Sequence, residues 1–235
     1  MKDQYFGDIN DYRKYGLLRC FVEAGFAPGV CWMLTPDGMS NDGQKTGYLQ
    51  QPDRWRSFDP ELFDFLATCV INGARGVRHL EDSALLSNTH YCSDRLGDGA
   101  ASRVAYMTSA LRSLLPSDLL FFDPDNGLEV ESVACGSRGS AKYIYWDEVQ
   151  QAWKTGASLL IFQHFNREPR LALVERLSDE LARRTSSDLV AAIHTAHVLF
   201  LFAGQSRHRD AFQSAAKLIS HRWTGQATVD IQHTV

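Results

Sequence analysis

An apolar run that stops abruptly at a polar turn constrains the fold of this chain more than any other feature. Residues 119–122 are Leu-Leu-Phe-Phe, and Asp-Pro-Asp-Asn-Gly follows at 123–127. A continuous apolar run of this kind is typical of a parallel strand that is buried on both faces. Pro124 cannot donate a backbone hydrogen bond and Asn-Gly tolerates positive φ, so the strand must end in a tight turn. The sequence therefore predicts a central strand with polar side chains at its carboxyl end.

Polar side chains at this position are candidates for a functional site. In open α/β sheets, ligands bind at the carboxyl ends of the strands. Asp123, Asp125 and Asn126 would stand there, and we predict catalytic roles for all three. The alternative is a purely structural turn, because these residue types are also good turn formers.

The rest of the chain alternates between helical and strand patterns. Strands are predicted at 29–34, 77–80, 90–93, 119–123, 158–162, 189–193, 197–202 and 227–232, and helices at 8–24, 60–70, 100–115, 147–154, 169–184 and 210–220. This alternation favours a three-layer α/β fold with a mostly parallel sheet, formed by residues 1–235 as a single domain. The two strands between 189 and 202 are separated by only a few residues, so an antiparallel strand is expected near the carboxyl terminus. Val104 lies on the predicted apolar face of the helix at 100–115.

The composition is that of a globular protein and shows no excess of positive charge. Of the 235 residues, 44% are hydrophobic and 22% are charged, as in an ordinary globular domain. The formal net charge of −4 gives no global basic field, so a nucleic-acid partner would need a local patch. Candidate residues for such a patch are Arg75 and Arg78, or Arg167, Arg170, Arg176, Arg183 and Arg184.

The sequence also indicates where the protein acts. No segment is long and apolar enough to cross a membrane, and the first residues lack the pattern of a signal peptide. The five cysteines are scattered without metal-ligand spacing, and we expect reduced, mostly buried thiols. We therefore expect a cytoplasmic protein without a membrane partner, and the sequence does not specify its oligomeric state.

Other strand ends supply further candidate site residues. The turn-rich loop at 35–44 follows the first predicted strand, and we predict that its Thr35, Asp37 and Asp42 bind a cofactor. Glu81 and Asp82 follow the predicted strand at 77–80, where Rossmann folds place a carboxylate that binds ribose hydroxyls.

His164 follows another apolar strand and suits a general acid or base near neutral pH. A histidine held by hydrogen bonds within a loop is the alternative interpretation.

The same carboxylates suit a metal ion. Hard cations such as Mg²⁺ or Mn²⁺ prefer carboxylate oxygens, and the candidate ligands are Asp37, Asp42, Asp123 and Asp125. A metal-dependent phosphodiester hydrolase, a nuclease, is therefore an alternative function.

Two further segments carry weaker signals. Lys14 lies on the first predicted helix among tyrosines and carboxylates, which suggests a face that packs over the site. Lys142 follows a Gly-Ser-rich segment and suits a mobile lid or a contact with a phosphate.

The order of elements resembles the class I methyltransferase version of the Rossmann fold. The Asp-Pro-Asp-Asn at 123–126 resembles the Asp-Pro-Pro-aromatic motif that amino-methylating members carry after their fourth strand, and residues 154–162 resemble their fifth strand. The blocks at 5–19 and 123–129 also resemble an uncharacterised bacterial family that shares both.

The methyltransferase resemblance implies an enzyme that acts on a nucleic acid or a nucleotide-like substrate with S-adenosylmethionine as cofactor. It implies that Asp123 holds a target nitrogen. The loop that begins at Thr35 would replace the usual glycine-rich turn. A non-catalytic, Rossmann-like protein that binds a partner is the third hypothesis.

Overall fold

Helices and strands alternate along the chain as the sequence predicts. The computed structural model describes residues 1–38 and 43–232. Its α-helices are α1 (Ile9–Glu23), α2 (Pro52–Trp55), α3 (Pro60–Ile71), α4 (Arg78–Glu81), α5 (Ala100–Ser113), α6 (Trp146–Trp153), α7 (Arg170–Thr185) and α8 (Arg209–Arg222). Its strands are β1 (Pro28–Cys31), β2 (His90–Cys92), β3 (Leu119–Phe122), β4 (Gly127–Leu128), β5 (Tyr143–Ile144), β6 (Ser158–His164), β7 (Val190–His194), β8 (Val198–Ala203) and β9 (Thr228–Gln232). Among the described helices, none combines the length and the apolar character needed to cross a membrane.

Seven of these strands form one twisted sheet. Their order is β2-β1-β3-β6-β8-β7-β9. Strands β2, β1, β3 and β6 pair in parallel, whereas β8 is antiparallel to both β6 and β7, and β9 is antiparallel to β7. The predicted fold class is therefore confirmed, including the antiparallel strand near the carboxyl terminus. Strands β1, β3 and β6 are neighbours in this sheet, and their apolar residues are buried.

Helices cover both faces of the sheet and create two apolar cores. Residues of α1, α3 and α8 pack on one face against side chains such as Val30, Phe121 and Phe200. Residues of α5, α6 and α7 pack on the other face against side chains such as Cys31 and Phe122. Neighbouring residues of one strand thus contribute to different cores, as the alternation of side chains along a strand requires.

One predicted strand is wrong. Residues 77–80 form part of the helical turn α4, and β2 lies further along the chain at His90–Cys92. The Asp3 carboxylate accepts a hydrogen bond from the Val77 backbone amide at 3.0 Å, which holds the start of this turn, and Leu80 is buried within the core. A four-residue apolar segment is compatible with either a strand or a helical turn, and tertiary contacts decide between them.

Helix α1 lies inside the protein rather than on its surface. Asp8 caps its amino end, accepting hydrogen bonds from the amides of Asn10 and Asp11. A close contact with the ring of Trp223 depends on Gly16, since a Cβ atom at that position would lie 1.9 Å from Trp223 Cζ2. Trp223 is itself fully buried, so it has little room to move away.

We therefore expect Gly16→Ala to destabilise the fold despite alanine's better helix propensity. The added methyl group overpacks the α1–Trp223 contact, and the expected loss is about 1–3 kcal/mol of the free energy of unfolding. Chemical denaturation measures this change. Gly47→Ala is the matched control, because no atom lies within 4 Å of a Cβ there. Equal stability of the two variants would contradict this account of α1 packing.

Candidate functional site at the carboxyl edge of the sheet

The carboxyl ends of β1 and β3 form the topological switch point of the sheet. After β1 the chain passes to the face covered by α3, and after β3 it passes to the face covered by α6. A crevice opens between such strands, and it is the usual ligand position in open α/β folds. The predicted catalytic turn at 123–127 leaves β3 at this point.

A buried ion cluster lies beneath this edge. Lys14 Nζ donates hydrogen bonds to Asp11 Oδ1 at 2.8 Å and to Asp123 Oδ2 at 2.7 Å. The hydroxyl of Tyr15 donates to the second oxygen of Asp11 at 3.0 Å. We call these four residues the Lys14 cluster. Asp11 and Asp123 are each 1% exposed and Lys14 is 3% exposed, so solvent does not screen their charges.

Burial and mutual attraction act in opposite directions on this cluster. Burial raises the pKa of Asp11 to about 6, against the lowering effect of the Lys14 charge. Burial also raises the pKa of Asp123. For Lys14, burial lowers the pKa, but the two neighbouring carboxylates raise it further, so the net shift is upward and the ammonium stays charged. The cluster therefore holds one cation between two carboxyl groups that ionise less readily than usual.

The turn after β3 surrounds a primary amine. The amino group of Met1 donates to the carbonyl oxygens of Asp123 at 3.0 Å and Met33 at 3.2 Å, and it lies 2.8 Å from Asp125 Oδ1. The other oxygen of Asp125 accepts a hydrogen bond from Thr35 Oγ1 at 3.0 Å. Burial alone would raise the pKa of Asp125, but the adjacent amino group and these hydrogen bonds lower it overall. The turn thus presents acceptors that suit an amine.

The backbone directly after β1 takes a left-handed conformation. Met33 has φ of 48° although it is not glycine, and its side chain is fully buried. Such a conformation costs a non-glycine residue of order 1–3 kcal/mol, and it is found most often at functional sites. Its carbonyl group is one of those that hold the Met1 amine.

Gly127 allows the turn after β3 to pack against β6. Its φ is 124°, and a Cβ atom there would lie 2.2 Å from Gln163 Oε1. That oxygen accepts a hydrogen bond from the Leu128 amide at 2.8 Å, and the His164 amide donates to the Asn126 carbonyl at 3.0 Å. The 123–127 turn is therefore fixed from two sides by the end of β6.

A cavity of about 440 Å³ opens beside this turn. We call it the edge cavity; its walls come from α1, the segment at 43–45, the 123–126 turn and the end of β6. Its volume is within the range of small-molecule sites, roughly 300–1,000 Å³. The lining residues include Asp8, Asn10, Asp11, Lys14, Lys45, Asp123, Asp125, Asn126, Phe162 and His164.

His164 lies in this cavity as a neutral base. Burial lowers the pKa of the imidazole to about 4, and the nearby Lys14 charge adds to the effect. The ring packs edge-on against Phe162, with 4.9 Å between centroids, and makes no hydrogen bond with the described residues. Its nitrogens are therefore available to a ligand.

Asn10 is the second lining residue with unused hydrogen-bonding capacity. It is 8% exposed, and its side-chain oxygen has no partner among the described residues. An unpaired buried acceptor costs about 1–3 kcal/mol, so Asn10 is a poor choice for stability alone. A donor on a bound ligand would satisfy it.

The structure brings together some predicted site residues and separates others. Asp123, Asp125, Asn126 and His164 line the edge cavity, and Thr35 reaches it through Asp125. The Asp123 carboxylate is committed to Lys14. Asp37 is exposed and accepts a hydrogen bond from the Gln4 amide, and Asp42 lies outside the described residues.

Glu81 and Asp82 do not follow a strand, contrary to the sequence prediction. They lie at the end of α4, because residues 77–80 form a helical turn. Asp82 is exposed. The Glu81 carboxylate accepts hydrogen bonds from Trp32 Nε1 at 2.7 Å and from Ser93 Oγ at 2.5 Å, so it ties together the segments that follow β1 and β2.

No metal centre is formed by the described residues. They contain no group of three or more His, Cys, Asp or Glu side chains placed to hold an ion. Asp123 and Asp125 each face an ammonium group instead.

Several arginines of the predicted basic patches bind groups within the protein itself. Arg75 donates to the carbonyls of Phe6 and Gly43. On α7, Arg176 pairs with Glu168, and both Arg183 and Arg184 pair with Glu180. A larger cavity of about 930 Å³ lies beside α7, and several of its charges are paired in this way.

Sequence reasoning missed the contribution of α1 to the wall of the edge cavity. Asn10 and Lys45 were not predicted to belong to the site, and Lys14 was expected only on a face that packs over it. A signal was present, since the sequence places Asp11 and Lys14 three residues apart on a helix whose other residues include many aromatics. The partner of that pair on β3 is 109 positions away from Lys14, and only the fold reveals it.

Comparisons with known proteins give little further information. No family model matches the chain, and no curated protein matches it. Among solved structures, a Legionella pneumophila protein of family DUF519 is similar over 97% of this chain and 97% of its own, with a TM-score of 0.44 and 11% sequence identity. This similarity assigns neither a family nor a function to the chain.

We expect Lys14→Met to destabilise the protein strongly. It would leave the carboxyl groups of Asp11 and Asp123 buried without their cation, and loss of one partner of a buried ion pair costs about 3–5 kcal/mol. Chemical denaturation at pH 7 measures the free energy of unfolding. Lys217→Met on α8 is the control, because that lysine is exposed and makes no ion pair with the described residues. A loss no greater than the control's would contradict the structural role of the cluster.

The lowered pKa of His164 predicts a specific pH dependence of stability. As the pH falls from about 6.5 to about 4, the unfolded chain gains a proton at His164 that the folded protein does not bind, so this residue lowers the free energy of unfolding. His164→Gln should therefore lose less stability than the wild type over this interval. Asp11 acts in the opposite direction, since its raised pKa favours the folded state at low pH, and only the difference between wild type and variant isolates His164.

Denaturation curves at several pH values test this expectation. His221→Gln, at an exposed histidine of α8, serves as the control and should follow the wild type. Parallel curves for wild type and His164→Gln would show that the imidazole titrates normally.

Proposed function

We propose that the protein is an enzyme that acts on an amino group of a nucleotide-like substrate bound in the edge cavity. The observation that carries this proposal is the acceptor-rich wall of the cavity. The 123–126 turn already holds a primary amine, and the side-chain oxygen of Asn10 has no donor among the described residues. A ligand that supplies N–H groups would satisfy such a wall, whereas an anion would meet the carboxylates of Asp8, Asp11 and Asp125.

Each residue would have a distinct role in this site. Asn10 accepts a hydrogen bond from the substrate amino group. The Asp125 carboxylate, which binds the Met1 amine and Thr35, holds the turn in place beside it. His164 is uncharged at neutral pH and makes no hydrogen bond with the described residues, so a ring nitrogen can accept a hydrogen bond from the same amino group. Lys14 is a positioning residue, since it fixes the Asp123 end of the turn and does not itself react.

Methyl transfer is the reaction that the sequence resemblance implies. Its cofactor, S-adenosylmethionine, would need acceptors for its ammonium group at the carboxyl edge of the sheet. The carbonyl of Met33 and the carboxylate of Asp125 suit the ammonium group of S-adenosylmethionine, but Met1 takes that place. In this arrangement the cofactor does not fit. Metal-dependent hydrolysis finds no supporting ligand set among the described residues.

Paired ligands that differ only in the amino group test the proposal. We expect adenosine or cytidine to stabilise the protein more than inosine or uridine, which carry an oxygen in place of the amine. A ligand present at 100 times its dissociation constant adds about 2.7 kcal/mol to the free energy of unfolding, which a thermal-shift assay detects. Equal stabilisation by both members of each pair would overturn the proposal, as would no stabilisation by any of them.

Two variants sharpen this experiment. Asn10→Leu removes the unpaired acceptor, and we expect it to abolish the difference between the amino and oxo ligands while preserving the fold. His164→Gln should keep ligand binding, since the side-chain oxygen of glutamine can accept the same hydrogen bond. His221→Gln should change neither property.

A further inference from the structure

A second cavity lies on the other side of the 123–126 turn and has the opposite charge. Its volume is about 460 Å³, and Lys2, Arg95 and Lys142 contribute cationic side chains to its walls. None of these three side chains makes an ion pair with the described residues. We call it the basic cavity.

Three cations that make no ion pair with the described residues thus meet at one cavity. The chain has a net charge of −4, and nine of its other lysines and arginines form ion pairs with carboxylates, for example Arg103 with Glu148 and Arg209 with Asp188. Asp98 is the carboxylate in the wall of the basic cavity. It accepts hydrogen bonds from the amides of Gly139 and Ala141, so it is occupied as a backbone anchor.

The fold holds this cavity beside the candidate site. Arg95 forms an isolated parallel bridge with Leu34, directly before Thr35. The Lys142 carbonyl accepts a hydrogen bond from the Asn126 amide at 2.9 Å. The basic cavity and the edge cavity therefore meet at the contact between Thr35 and Asp125.

We propose that the basic cavity binds a phosphate group of the substrate whose amino-bearing base lies in the edge cavity. A nucleotide carries these two chemical groups on opposite sides of its sugar, and the two cavities provide one wall of acceptors and one of cations. The position of the base in this proposal rests on the proposed function. The phosphate site itself is inferred only from the three cations that make no ion pair with the described residues. The phosphate belongs either to a free nucleotide or to a nucleic-acid backbone.

A double charge substitution tests the phosphate site. Arg95→Gln with Lys142→Gln removes two cations but leaves the backbone contacts of both residues in place. The matched control is Arg112→Gln with Lys217→Gln, which removes two exposed cations that make no ion pair with the described residues. Arg112 lies at the far end of α5, which begins near the carboxyl edge and runs back toward the start of β3.

Fluorescence anisotropy with a labelled single-stranded oligonucleotide, and thermal shift with adenosine monophosphate, form the two arms. We expect the double variant to bind the ligand of the responding arm with roughly tenfold lower affinity. For the oligonucleotide, we also expect the slope of the logarithm of the binding constant against the logarithm of the salt concentration to become shallower by about 1.4, or about 0.7 per phosphate contact. An effect in the oligonucleotide arm identifies a nucleic-acid backbone, and an effect confined to the mononucleotide arm identifies a free nucleotide.

The remaining outcomes are equally informative. Equal losses in the double variant and its control, or no binding by the wild type in either arm, would overturn the phosphate site. If adenosine and inosine monophosphates bind equally but both depend on Arg95 and Lys142, the phosphate site stands and the amino-group function fails.

Discussion

The buried ammonium of Lys14 is the interaction on which the rest of the site depends. It joins α1 to the end of β3 through Asp123, and its charge also lies 4.9 Å from the ring centroid of Phe162 on β6. Two carboxyl groups around one cation are costly to bury, and apolar residues of similar volume often stabilise such a position equally well. The Lys14 cluster instead fixes the position of α1 relative to β3, which we call its registry, because its hydrogen bonds form only when α1 lies at one position along the sheet.

That registry determines which atoms the site offers to a ligand. With its carboxylate turned toward Lys14, Asp123 presents its carbonyl oxygen to the crevice, and Asp125 becomes the carboxylate that meets an amine. The same placement of α1 brings Asn10 to the cavity and sets a positive charge near His164, which helps to keep the imidazole neutral. The acid–base properties of the edge cavity thus follow from a cluster whose own members are almost completely excluded from solvent.

Charge is divided along the carboxyl edge of the sheet. Carboxylates gather on the side of α1, and unpaired cations gather on the side of β4 and β5, with Met1, Thr35 and Asp125 between them. The division explains how a protein with a net charge of −4 can offer a local site for phosphate. It also explains why arginine-rich stretches of sequence were a poor guide to that site, since Arg176, Arg183 and Arg184 of α7 pair with glutamates of the same helix or of the segment just before it.

The sequence by itself determined the sheet and the position of its functional edge. Continuous apolar runs at 119–122 and 158–162 predicted buried strands. The proline and glycine of the 123–127 turn required β3 to end there, so its polar residues had to lie at the carboxyl end of that strand. The direction of individual side chains was decided by tertiary structure. Val104 was expected in the core and is 69% exposed, while Arg103 is 1% exposed because its guanidinium group binds Glu148. Likewise, nothing local in the sequence turns Asp123 toward Lys14, since that choice depends on a charge that the fold brings from another helix.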